Sequence, residues 1–173
     1  MTLLFRHPDT PPGAIHAVDA ELQRVPDGAV ATFRAIGDPS RLVIPPPADP
    51  IRTDVLWKTT CFEIFVGDEW APYVEFNLSP SGAWAAYCFD DYRSGMKQAT
   101  AEIQIQYTLN SKGLTLEAEI KSQFADGARI GLTAVIEEAD GMIRYWSTAF
   151  APGKPDFHAP AVRSLLFDGI GTE

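Results

Sequence analysis

Basic residues are scarce in this chain: 14 Lys and Arg stand against 23 Asp and Glu, a formal net charge of −9. Phosphates of a nucleic acid need a basic footprint, and so does an anionic membrane surface, so neither partner is expected. Metal ligands are equally thin. There are 3 His and 2 Cys, with no His-x-His or Cys-x-x-Cys spacing, and the Asp156/His158 pair is too sparse to hold an ion. No Gly-x-Ser-x-Gly presents a nucleophile, and no glycine-rich loop precedes a helix to cradle phosphate. Long apolar runs are missing too. The stretch 3–5 is too short for a secretion signal, and nothing approaches a membrane span. The expected compartment is therefore the cytosol, where Cys61 and Cys88 stay reduced and serve as small apolar residues.

What the chain has in quantity is turn chemistry. Fourteen Pro and 13 Gly, spread over 173 residues, fit many short strands better than long helices. Run 14–24 predicts an edge-like strand, Pro26-Asp27-Gly28 a turn, 29–36 its hairpin partner and 41–44 a short strand. Four prolines within 44–54 exclude a central strand and predict an extended surface loop. Runs 60–66, 73–78 and 84–89 read as a three-stranded meander. Segment 90–99 lacks strand periodicity and reads as a loop or one helical turn. Runs 101–108 and 114–120 form a hairpin with one dry face, and 130–137 pairs with 142–148. An irregular loop fills 149–160, and 164–168 closes as a last strand. The expected architecture is a single all-β domain over 1–173, with 1–13 and 169–173 peripheral. Its two antiparallel sheets pack face to face as a β-sandwich, jelly-roll-like, with an immunoglobulin-like arrangement as the alternative.

The polar residues of the meander are the informative ones. Alternation puts Phe62, Ile64 and Val66 on one face and Cys61, Glu63 and Phe65 on the other. It likewise separates Val74, Phe76 and Leu78 from Tyr73, Glu75 and Asn77. A carboxylate within an apolar strand must be paired, hydrogen-bonded or in contact with a wet cavity, because burial alone costs several kcal/mol or forces protonation. Glu63 and Glu75 are therefore site candidates.

The segments LWKTTCFEIFVG (56–67), VEFNLSPSGAWAAYCFDDYRSGM (74–96) and PGKPDFH (152–158) resemble the DOMON-like ligand-binding domains. More distantly, the chain is similar to the family 9 carbohydrate-binding modules. The resemblance implies a jelly-roll-like sandwich whose relatives bind sugars or haem. In the sugar binders two tryptophans enclose a terminal sugar, and Trp57 and Trp146 match them by position. Glu63, Asn77 and Arg93 match the polar residues, with Glu75, Lys58 and the late-loop His158 beside them. An indole face suits the C–H face of a pyranose, while carboxylate, amide and guanidinium groups bond its hydroxyls. The haem-binding relatives use Met and His ligands. Here Met96, Met142 and His158 stand in no matching motif, so neither haem nor another cofactor is expected. With no secretion signal or attached hydrolase expected, the setting departs from that of the sugar binders.

Three functions are then open. The leading one is a non-catalytic module for a small ligand, a sugar above all. The second is an interaction domain in which Glu63 and Glu75 close an ion-pair network with Lys58 and Arg93. The third is a glycoside-acting enzyme using Glu63 and Glu75. Oligomeric state is left open by the sequence.

Overall fold

A computed structural model describes residues 1–167. The architecture is all-β and antiparallel, a β-sandwich of twelve strands with three short 3₁₀ turns. The strands are β1 (Thr2–Arg6), β2 (Ile15–Val25), β3 (Gly28–Gly37), β4 (Cys61–Gly67), β5 (Tyr73–Leu78) and β6 (Trp84–Phe89), followed by β7 (Lys97–Gln98), β8 (Glu102–Asn110), β9 (Gly113–Lys121), β10 (Arg129–Glu137), β11 (Ile143–Ser147) and β12 (Leu165–Leu166). Eleven of them follow one path, β7-β6-β5-β4-β10-β11-β1-β2-β3-β9-β8, and β12 pairs with β10 beside it. Among the described residues no helix is long and apolar enough to cross a membrane.

The path folds into two layers at β1. Leu3 and Leu4 pair with β2, while Phe5 and Arg6 pair with β11. The first layer is thus β1-β2-β3-β9-β8 and the second runs from β11 to β7. The segment expected to be peripheral, 1–13, instead contains the strand that joins the layers, and Leu4 is buried in the core. Strand β2 is not at an edge either, because β1 covers its free side. A two-residue strand, β7, sits in the segment read as a loop. The run expected as a strand at 41–44 keeps only a bridge from Leu42 to Glu138. The closing strand is limited to β12, and Asp168, like the tail 169–173, lies outside the described residues.

The core forms where the apolar faces of the two layers meet. Phe33 of β3 meets Phe62 of β4 with ring centroids 5.1 Å apart. Ile64, Phe76, Leu116, Ile120 and Leu132 are buried in the same cluster. Each such side chain contributes about 1.5–3 kcal/mol by leaving water. Trp146 belongs to this interior: it is 4% exposed, opposite Ala134 on β10, and its indole N–H finds no partner.

One end of the sandwich is held by a buried ionic clip. Arg144 on β11 donates to the carbonyls of Pro11 (2.8 Å) and Pro12 (3.1 Å) and to Asp140 (2.8 Å). Its guanidinium lies 3.6 Å from Glu138, which accepts the N–H groups of Ala14 and Ile15. Hydrogen bonding from Arg144 holds the Asp140 carboxyl down at about 2. The clip ties the chain entering β2 to the β10–β11 turn.

Candidate functional site

The second layer has a face turned away from the core, and its residues follow from the strand register. Glu63 stands between Thr133 on β10 and Asn77 on β5. Glu75 stands between Phe65 on β4 and Tyr87 on β6. The two glutamates are therefore diagonal neighbours on one face, as alternation predicts. Phe65, Tyr73, Ala85, Tyr87, Phe89 and Val135 make the rest of this face an aromatic-rich second cluster.

Three loops raise walls around it and enclose a cavity of about 630 Å³. The 3₁₀ turn Leu56–Lys58 brings Trp57, the loop after β6 brings Arg93 and Met96, and the late loop brings Pro155, Phe157 and His158. Tyr87 donates to Asp54 and anchors the segment that leads into Trp57. Two non-glycine residues, Val55 and Arg93, have left-handed backbone (φ 60° and 51°), and both line this cavity. For a β-branched valine that conformation is a true outlier, and such strain gathers at ligand sites. A larger groove, about 1340 Å³, is lined by Phe124 and Lys121, but it gathers no buried acid–base groups.

Electrostatics set the smaller cavity apart. Burial pushes the Glu75 carboxyl up to about 7, against a hydrogen bond from Asn77 (2.9 Å) that favours the charged form. Burial, with the Glu75 charge beside it, also pushes Glu63 well above the carboxylate range. Its one hydrogen bond comes from the Thr133 hydroxyl at 3.4 Å. Burial lowers His158 to about 4, helped by the Arg93 charge, so the imidazole is neutral. Tyr73 accepts the Arg93 N–H (3.1 Å) and lies 2.8 Å from His158 Nδ1. The arrangement that opposes no lone pairs has Tyr73 donating to Nδ1 and the ring proton on Nε2, 3.6 Å from Glu75. Perturbed groups of this kind, gathered in one cleft, mark a functional-site candidate.

Arg163 supports the floor through Tyr73. It has no carboxylate partner among the described residues; it donates to the carbonyls of Asp68, Glu69 and Trp70 and stacks on Tyr73 at 4.6 Å. Replacing it with Met is expected to cost about 2–3 kcal/mol, the scale of hydrogen bonds to a charged group. Urea unfolding reads the loss, and limited proteolysis should show new cleavage between residues 68 and 72. Unchanged protection of that loop would mean that Arg163 does not hold it.

Of the eight residues singled out in the sequence, the structure brings five to the cavity: Trp57, Glu63, Glu75, Arg93 and His158. Asn77 is one step behind, bonded to Glu75. Lys58 is exposed outside it, with Nζ 6.0 Å from the Trp57 ring. Trp146 must be removed from the site, because the pairing of β11 with β10 turns its indole into the core. Tyr145, its neighbour of opposite parity, lines the cavity instead. The ion-pair network with Lys58 and Arg93 is also corrected. Arg93 pairs with Asp156 at 2.7 Å, and no Lys or Arg among the described residues comes within 4.0 Å of Glu63 or Glu75. Tyr87, Phe89, Tyr145 and Phe157 were missed. The parity of 84–89 could have indicated the first two; the other two depend on pairing and loop path.

The donor set does not fit a haem held by His and Met. Met96 and His158 share the cavity, but Tyr73 engages one ring nitrogen and Glu75 faces the other. Met142 lies on the exposed β10–β11 turn. Among the described residues no group of three or more His, Cys, Asp or Glu is placed to hold a metal ion.

No family model matches the chain, and no curated protein sequence does. A similar solved structure is that of a candidate carbohydrate-binding protein from Bacteroides uniformis ATCC 8492. The likeness covers 93% of this chain and 82% of that one, with a TM-score of 0.62 at 14% identity. At that identity the likeness is one of fold.

Proposed function

We propose that this protein is a non-catalytic binding module for a small polyhydroxylated ligand, a carbohydrate, taken into the cavity on the outer face of β4, β5 and β6. The observation that carries this reading is Trp57. It is 51% exposed, on a turn fixed by a strained Val55, and it stands as one wall above a floor of carboxyl groups. A large aromatic left in water at the mouth of a preformed cavity is suited to stack on an apolar ligand face. Tyr145 and Phe157 supply apolar surface within the same cavity, in the role that the sequence resemblance gave to Trp146. The Bacteroides uniformis protein's description agrees with this choice of ligand.

Glu63 and Glu75 share one cavity, as a glycosidase would also require. Binding is favoured by their burial, 3% and 5% exposed, beside an indole that is 51% exposed.

Titration of mono- and disaccharides, followed by tryptophan fluorescence and thermal shift, tests the reading. Trp57→Ala is expected to weaken the best ligand by about ten-fold or more, a loss of roughly 1.4 kcal/mol, with little change in melting temperature. A bound sugar whose affinity is untouched by Trp57→Ala would place the site elsewhere.

A further inference from the structure

We propose that the ligand carries a protonated amine, which makes it an amino sugar rather than a neutral one; this rests on reading the cavity as a carbohydrate site. The floor offers more acceptors than its donors, Thr133, Asn77 and the His158 Nε2 proton, can fill. Glu63 is 3% exposed yet lines the cavity, and only Thr133 donates to it, at the long distance of 3.4 Å. Glu75 Oε2 makes no hydrogen bond and faces His158 across 3.6 Å. Asn77, buried behind them, has an unpartnered Oδ1. A neutral hydroxyl can donate to these oxygens, but only a cation seated among them offsets the burial that keeps the two carboxyl groups protonated and holds them in their charged form.

Among the described residues no Lys or Arg stands within 4.0 Å of either carboxyl, and the Arg93 charge reaches Glu75 only from farther off. Arg93, at the rim, is committed to Asp156 and Tyr92. Arg163 is turned to the carbonyls of the 68–70 loop. Lys58 lies outside, against the indole of Trp57. The walls complete the case. Trp57, Tyr87, Phe89, Tyr145 and Phe157 put five aromatic rings around the two carboxyl groups, and aromatic faces attract a desolvated ammonium group. An ammonium seated here gains both partners, while the sugar hydroxyls remain for Arg93 and the rim.

Calorimetric titration at pH 7 with glucosamine, glucose, N-acetylglucosamine and choline tests this on the intact chain. Glucosamine is expected to bind about ten-fold or more tightly than glucose or N-acetylglucosamine. In Glu63→Gln, which keeps the shape of the side chain, the ratio of glucosamine to glucose affinity should fall toward one. Lowering the pH from 7 to 5 should weaken glucosamine, because protons compete with the ammonium for the two carboxyl groups. Of the groups facing the floor, Tyr73 and Tyr87 titrate above this range, His158 near 4 is neutral through it, and Arg93 stays charged.

Equal affinity for the three sugars overturns the amine and leaves the carbohydrate reading standing. Choline binding without any sugar binding keeps the ammonium site and removes the carbohydrate. Silence across all four probes overturns both.

Discussion

Replacing Glu75 with Gln is expected to stabilise the folded protein by about 3 kcal/mol at pH 8 and to change it little at pH 4. Burial lifts this carboxyl from its ordinary 4.5 to about 7. The folded state therefore holds a proton that the unfolded chain has released between those values. Stability contributed by Glu75 is intact below pH 4.5 and is lost as pH rises toward 7. At about 1.36 kcal/mol per unit, the shift amounts to the figure given. His158 acts in the other direction. Its fall to about 4 means that stability is lost as pH drops from 6.5 toward 4, so the wild-type profile is a sum of opposing slopes. The difference between Glu75→Gln and wild type isolates one of them. Glu63, relieved of the charge beside it, adds to the gain. Urea unfolding at pH 4, 6 and 8 measures it. A difference that does not grow with pH would show that the carboxyl is hydrated and titrates normally.

Arg144→Leu is expected to be the most damaging single change in the scaffold, costing about 3–5 kcal/mol. The guanidinium is almost fully buried, and its loss strands the Glu138 charge and the carbonyls of Pro11 and Pro12. For a chain of this size, that corresponds to a fall in melting temperature of roughly 6–20 °C. Asp140→Asn should be milder, because Asp140 is 39% exposed and water can replace it. Gly13→Ala should act in the same direction as Arg144→Leu, since a Cβ there would overlap both Glu138 and Arg144. A loss below 1 kcal/mol for Arg144→Leu would mean that the clip contributes little beyond a hydrophobic replacement.

The chemistry of the floor was legible because β4 and β5 are strict two-residue alternations. In such strands, naming one core residue assigns every other. Glu63, Glu75 and Asn77 could be placed on one face for that reason, and the late loop could be named through His158. Strand β11 shows where this fails. Five residues, Ile143–Ser147, carry too little pattern to fix parity, and a tryptophan suits either face. Parity is decided by register, with Ala134 opposite Trp146 and Val135 opposite Tyr145, so the aromatic that reaches the cavity is the tyrosine. The joining role of β1 was hidden in the same way, because a five-residue strand at a chain end shows its worth only in its partners. Arg163 and Asp54 gave no signal at all. Their bonds span 33 residues from Asp54 to Tyr87 and up to 95 from Arg163 to the loop it holds.

The split allegiance of β1 also sets a schedule. Residues 2–6 are made before the other strands, yet two of their five partners are residues 146 and 147. At about 5–20 residues per second, the wait is roughly ten to thirty seconds. Over the same interval β4 lacks its neighbour β10, and the layer that covers the β4–β6 meander is itself complete only once β9 has emerged. The first layer can close with β9, but the second waits for β10 and β11. Chaperone capture during synthesis should therefore be heaviest just before β10 and β11 appear.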